Sequence, residues 1–180
     1  MYGLVNKAIQ GLIIDNYGKS IWEEVKLKSK LEIDVFISNE PYPDETTYIL
    51  AATASEVLGV PVKQVLFLFG EYWILKTGQE TYGSLMHTNG TDFREFLINL
   101  PNFHSRVMLI YPNITPPEFR VTDIESNSLH LHYYSTRQGL QDFMLGLISG
   151  LGKMFSTPID VLTVNSRLDG HDHEIFKITW

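Results

Sequence analysis

The stretch LHLHYYSTR, residues 129–137, decides how the second half of the chain folds. From Leu129 to Tyr133, apolar and polar side chains alternate with a period of two, which predicts a strand with one buried face. If the extended backbone continues, Tyr133, Ser135 and Arg137 share a face and present a phenol, a hydroxyl and a guanidinium side by side. This set suits carboxylate binding. A polar strand end without a ligand is the competing interpretation, because such short strings recur by chance.

The segments around this strand predict an α+β fold. Apolar residues recur at helical spacing through the first half of the chain, whereas residues 119–124 predict a strand that turns into 129–133. A long helix is expected over 138–155. A second hairpin is expected from residues 161–165 and 175–180. The prediction is a helical N-terminal lobe followed by a four-stranded antiparallel sheet with one long helix.

Local signals place the helix ends. Ser20 and Glu23 have the spacing of a capping box at the start of the second helix. Asp44 is expected to cap a helix that ends near Gly59, and Pro101 predicts a new helix from about Asn102. We treat residues 1–180 as a single domain, with 1–60 as the N-terminal lobe and 61–180 as the second lobe.

Composition excludes several classes of protein. A net charge of −7 over 180 residues argues against a nucleic-acid partner, and the absence of cysteine rules out disulfides and thiolate metal sites. No apolar run is long enough for membrane insertion, so a cytoplasmic location is the expectation. No nucleophile elbow, phosphate-binding loop or HExxH motif is present, so an enzyme is not predicted.

His104 is the main candidate metal ligand. Val107, Met108 and Tyr111 follow it at offsets of three, four and seven, so its imidazole is expected to face apolar surroundings. On this evidence alone a buried core histidine is favoured over a ligand. Two further pairs, His130 with His132 and His171 with His173, leave a non-haem metal site open as an alternative.

Taken together, these motifs resemble the haem nitric oxide/oxygen-binding (H-NOX) domains, which include the sensor domain of soluble guanylate cyclase. The resemblance spans the chain and rests on His104, the Tyr133, Ser135 and Arg137 motif, the step 115–117 and the segment 145–147. It implies a gas-sensing haem domain, with haem b (iron protoporphyrin IX) buried between the sheet and the helices. The implied haem contacts are Tyr133, Ser135, Arg137, Pro117, Trp73, Phe143, Met144, Leu147 and Met108, with His104 as the iron ligand.

The resemblance also implies which gas the haem binds. Phe143 stands about where oxygen-binding members carry a tyrosine that donates a hydrogen bond to dioxygen, and phenylalanine cannot donate one. Ile9, Leu66 and Met144 are expected to complete an apolar wall, and Trp73 matches another distal position. Nitric oxide and carbon monoxide are therefore the expected ligands, and stable oxygen binding is not. The output would pass to a histidine kinase or a cyclase. A haem carrier is the remaining alternative.

Overall fold

The computed structural model describes residues 1–110 and 115–180, so Tyr111, expected on the face of His104, lies outside the described residues. The helices are α1 (Gly3–Tyr17), α2 (Lys19–Ser29), α3 (Asp44–Leu58), α4 (Val62–Tyr72), α5 (Gln79–His87), α6 (Phe93–Ile98), α7 (Leu100–Ile110) and α8 (Gln141–Met154). A π-helical segment, Trp73–Gly78, joins α4 to α5, and a short 3-10 turn covers Arg167–Asp169.

The strands are β1 (Glu118–Thr122), β2 (Ser128–Tyr134), β3 (Asp160–Asn165) and β4 (Glu174–Thr179). They form one antiparallel sheet in the order β1-β2-β4-β3. This architecture confirms the predicted combination of helices with a four-stranded antiparallel sheet. Alternation in β2 works as the sequence predicts, because Leu129, Leu131 and Tyr133 are buried while the residues between them are more exposed.

Among the described residues, two apolar clusters make up the core. One joins the inward face of the sheet to α8 and includes Leu131, Phe176 and Ile148. The other lies among the N-terminal helices and also takes in Val65 and Phe69 from α4. Helix α4 therefore contributes to the N-terminal core although it begins after residue 60.

Two glycines allow α4 and α8 to cross closely. A Cβ atom on Gly146 would overlap the carbonyl oxygen of Phe67, and one on Gly70 would overlap the carbonyl oxygen of Phe143. Because backbone lies against backbone here, a rotamer change cannot relieve either overlap. The crossing fixes the position of Phe143.

Some helix ends differ from the prediction. Helix α2 begins at Lys19 after Gly18, and no side-chain cap forms, so the predicted capping box of Ser20 and Glu23 is wrong. Helix α7 begins at Leu100, because Pro101 is tolerated in the first turn of a helix, where its missing N–H has no helical partner.

Other helix ends agree with the prediction. Gly59 ends α3 in the left-handed conformation, with φ 66°. Helix α3 also begins at Asp44, but the prediction that this side chain caps the helix is wrong, because its carboxylate binds the Met1 amino group and Arg137 instead.

Within the described residues, no single helix is long and apolar enough to cross a membrane. The segments Asp44–Leu58 and Val62–His87 meet the length and composition needed only together, and a bend of 113° separates them.

The glycine crossing gives a stability prediction. Gly146→Ala should lower the free energy of unfolding by about 3 kcal/mol, because the added methyl group must push two backbones apart. Urea denaturation followed by circular dichroism measures this change. Gly83→Ala is the matched control, since its Cβ would meet only the Gln79 side chain, 3.9 Å away. The control should be neutral or slightly stabilising. Equal losses in both variants would contradict the role of the crossing.

Candidate functional site

His104 lies on α7, with its ring between two phenylalanines. The ring centroids of Phe103 and Phe119 are 5.6 and 4.8 Å from that of the imidazole. Nδ1 is 3.2 Å from the carbonyl oxygen of Leu100, one turn earlier. Because a carbonyl oxygen only accepts hydrogen bonds, Nδ1 carries the proton and Nε2 keeps a lone pair. Burial lowers the pKa of His104, so the neutral form that can bind a metal is favoured.

His104 lines a largely apolar cavity of about 350 Å³, a size typical of ligand pockets. The cavity lies between α7, β1 and β2 on one side and α4, α8 and the N-terminal helices on the other. The predicted site residues that line it are His104, Leu66, Trp73, Pro117, Tyr133, Arg137, Phe143, Met144 and Leu147. Residues far apart in sequence are thus brought to one pocket.

Ser135, Met108 and Ile9 do not line the cavity. Met108 is 43% exposed on the outer side of α7, and Ile9 is fully buried within the N-terminal cluster. Val107, one residue earlier in the same helix, is buried and does line the cavity.

The polar anchor, which consists of Tyr133, Ser135 and Arg137, does not form the continuous strand that the sequence predicts. Strand β2 ends at Tyr134, so the prediction that Ser135 and Arg137 extend it is wrong. The Ser135 hydroxyl oxygen accepts a hydrogen bond from the backbone N–H of Arg137 at 3.1 Å, and this local bond turns the chain out of the sheet. Tyr133 is buried on β2, and burial raises the pKa of its phenol, which stays protonated.

An acidic residue that the sequence did not associate with the site holds Arg137. Arg137 Nε donates to Asp44 Oδ2 at 2.8 Å, and its Nη1 donates to the carbonyl oxygen of Thr115 at 2.9 Å. Asp44 also pairs with the amino group of Met1 at 2.5 Å. Burial raises the pKa of Asp44, but the amino group and Arg137 outweigh it and bring the pKa below its ordinary value of 3.8. The ion pair ties the start of α3 to the anchor.

A second arginine, Arg167, contacts two residues of the polar anchor, Ser135 and Tyr133. Arg167 Nε lies 2.8 Å from both carboxylate oxygens of the buried Glu174, and Nη1 donates to the Ser135 carbonyl oxygen at 2.7 Å. Its guanidinium carbon lies 5.9 Å from the centroid of the Tyr133 ring. This contact could not be predicted from sequence patterns, because Arg167 lies in a turn 32 residues after Ser135.

Aromatic rings form the wall near α4 and α8. Phe143 packs on Phe69 with 4.6 Å between ring centroids, and Trp73 meets Phe69 edge-on at 6.3 Å. Phe143 thus adds no hydrogen-bond donor to this wall.

The other histidines lie elsewhere. His130 pairs with Asp123 at 2.9 Å on the outer face of the sheet, and His132 contacts His173 there. Across the described ranges, 1–110 and 115–180, no three His, Asp or Glu side chains converge on a point that could hold a metal ion.

The donor set fits a haem. One neutral imidazole with a free Nε2 faces an apolar cavity, and a phenol and a guanidinium lie at the polar edge, where carboxylates could bind. The site is therefore of the kind expected in a haem-binding protein.

The model of the Haem-NO-binding family matches residues 2–163, and the chain belongs to this family. Its members are haem-based gas-sensing domains related to soluble guanylate cyclase, and the domain itself is not catalytic.

Relatives in animals are similar over almost the whole chain. A soluble guanylate cyclase of Caenorhabditis elegans, gcy-32, is 30% identical over 176 residues, covering 96% of this chain and 26% of its own length. Another from the same organism, gcy-35, is 26% identical over 188 residues, covering 99% of this chain and 27% of its own length. The chain thus spans about a quarter of these relatives.

Solved structures share the fold. The H-NOX protein of S. oneidensis in its Fe(II)NO ligation state superposes with a TM-score of 0.89 at 20% identity, covering 99% of this chain and 98% of the other. The Fe(II) unliganded H-NOX protein of K. algicida gives a TM-score of 0.86 at 25% identity, covering 99% and 96%. The arrangement of helices and sheet is thus that of H-NOX structures.

The Asp44 ion pair predicts a pH-dependent stability difference. Asp44→Asn should lower the free energy of unfolding by about 1 kcal/mol near neutral pH. Because the folded-state pKa of Asp44 lies below 3.8, this contribution is complete above that pH. It disappears as the pH falls through the lowered value. Denaturation of the unmodified protein and of Asp44→Asn from pH 7 to pH 3 measures the difference in their free energies of unfolding.

Asp34→Asn serves as the control, since Asp34 also pairs with a cation, Lys26, but its side chain is fully exposed. A pH-independent difference for Asp44→Asn, or an equal effect of Asp34→Asn, would contradict this assignment.

Proposed function

We propose that this chain binds haem b through His104 Nε2 and acts as a sensor of nitric oxide, with carbon monoxide as a second ligand. The observation that carries the proposal is the neutral His104, with Nδ1 bonded to Leu100 and its ring on the cavity wall. When bound, ferrous haem would supply the iron that takes up a diatomic gas, and His104 would hold that iron. The proposal includes a cytoplasmic location and a single domain of two lobes.

The polar edge of the cavity would hold the haem propionates. Tyr133 offers a phenolic donor, and Arg137 lines the cavity while Asp44 and Thr115 fix Nε and Nη1, leaving Nη2 for a ligand carboxylate. Ser135 supports this edge through the turn and through a side-chain hydrogen bond to Tyr133. Pro117 lines the cavity near these groups and would press on the porphyrin. Met108 contributes only through helix α7.

The opposite wall would select the gas. Phe143, Met144 and Leu147 line it and offer no hydrogen-bond donor, so polar dioxygen gains little there. Trp73 also lines the cavity, with its ring held edge-on to Phe69. Nitric oxide and carbon monoxide need no such donor, and a stable oxygen complex is not expected.

Helix α7 would carry the signal. It holds His104 at the cavity, while its outer side exposes Met108 and Leu109. A change in the strength of the bond between His104 and the iron would move this helix. That movement would shift the equilibrium between two arrangements of the two lobes. Because the matched region is not catalytic, the output would pass to another domain or protein, such as a histidine kinase or a cyclase.

A substitution at Phe143 tests the choice of gas. The ferrous protein should bind nitric oxide and carbon monoxide, and it should form no stable complex with oxygen in air. Phe143→Tyr should slow dissociation of oxygen about fivefold, because a new hydrogen bond contributes roughly 1 kcal/mol. Absorption spectra and stopped-flow dissociation rates provide the measurement.

Phe143→Leu is the control, because it removes the ring without adding a donor and should not gain oxygen binding. A stable oxygen complex of the unmodified protein would contradict the proposed selectivity. Rapid transfer of haem to an excess of apomyoglobin during gas exchange would favour a carrier over a sensor.

A further inference from the structure

Two histidines from separate sequence pairs meet on the outer face of the sheet, away from the cavity. His132 lies on β2, and His173 immediately precedes β4. The distance from His132 Nδ1 to His173 Nε2 is 2.9 Å. Tyr134 stacks on the His173 ring with 4.0 Å between centroids and 19° between planes, which holds that ring in place.

The protons on the far nitrogens can be assigned from their partners. The Asp172 carboxylate lies 2.6 Å from His173 Nδ1, so Nδ1 donates. The Thr122 hydroxyl oxygen lies 2.9 Å from Asp123 Oδ2 and 2.8 Å from His132 Nε2, so when its hydrogen goes to Asp123 it accepts from the N–H of His132. In that arrangement of the neutral rings, both protons lie on the far nitrogens.

Two lone pairs consequently face each other across 2.9 Å. Such a contact is repulsive unless a cation lies beside it.

We propose that His132 and His173 form a two-histidine site for a late transition-metal dication, Ni²⁺ or Cu²⁺, separate from the haem cavity. Metal–imidazole bonds of about 2.0–2.1 Å and a cis angle of about 90° place the two nitrogens roughly 2.9 Å apart, as observed. The metal would lie to one side of the line joining them, with water in its remaining positions.

The partners of the far nitrogens strengthen the site. A carboxylate on the non-ligating nitrogen of a metal-bound histidine fixes its tautomer and increases its basicity, and Asp172 occupies this position on His173. Thr122 does the same for the tautomer of His132. The metal would join β2 to the β3–β4 turn, where Arg167 supports the Ser135 loop.

Titration calorimetry with Ni²⁺ tests the proposal. The probe is added to untagged, haem-loaded protein in the ferrous carbon monoxide state, so that the haem iron is capped. One ion should bind per chain. His132→Gln and His173→Gln should each weaken binding at least tenfold, and the double variant should bind no more weakly than either single variant, because one lost ligand already destroys the chelate.

His171→Gln is the matched control, because His171 is exposed and lies two residues from His173. It should leave binding unchanged, and circular dichroism should show that every variant is folded. Absence of saturable binding, or equal weakening by His171→Gln, would overturn the proposal. Since the haem is monitored by its own absorption band, failure of this site is distinguishable from failure of haem binding.

Discussion

The hydrogen bond between His104 Nδ1 and the Leu100 carbonyl is the interaction on which the account of the site depends. It sets the tautomer, and burial keeps the ring neutral, so that a lone pair is available at Nε2. The bond is local to the first turns of α7, whereas Phe119 approaches the same ring from β1. Helix and sheet therefore fix the imidazole jointly, and a displacement of either changes the direction of Nε2.

The remainder of the fold brings the other walls to this imidazole. The glycine crossing of α4 and α8 places Phe143 and Trp73 on one wall of the cavity, and Asp44 ties the start of α3 to Arg137. The ion pair is partly exposed, with 21% and 33% of its side chains accessible, so its contribution to stability is modest. Its importance is positional, because it links α3 to the segment after β2 at the polar edge of the cavity.

Sequence patterns predicted the elements that depend on neighbours close in the chain. The alternation of Leu129, Leu131 and Tyr133 and the stop at Gly59 are local, and both appear in the structure. The resemblance to the Haem-NO-binding family is also readable from the sequence, because His104 and the Tyr133 motif occur in a specific order.

Features set by tertiary contacts were not predicted. Ser20 and Glu23 fit a capping box, yet Gly18 begins the helix. Asp44 resembled a helix cap, and its partner Arg137 is 93 residues away. Equally, only the register of β2 with β4 brings His132 next to His173, 41 residues later. Spacing alone cannot reveal such pairs.

The iron–imidazole stretching band in the resonance Raman spectrum of the ferrous protein reports directly on whether His104 binds the iron. The unmodified protein should show this band, His104→Gly should lose it, and added imidazole should restore it by filling the space left on α7. A band that persists in His104→Gly without imidazole, or a purified protein that takes up no haem, would contradict the assignment of His104 as the ligand.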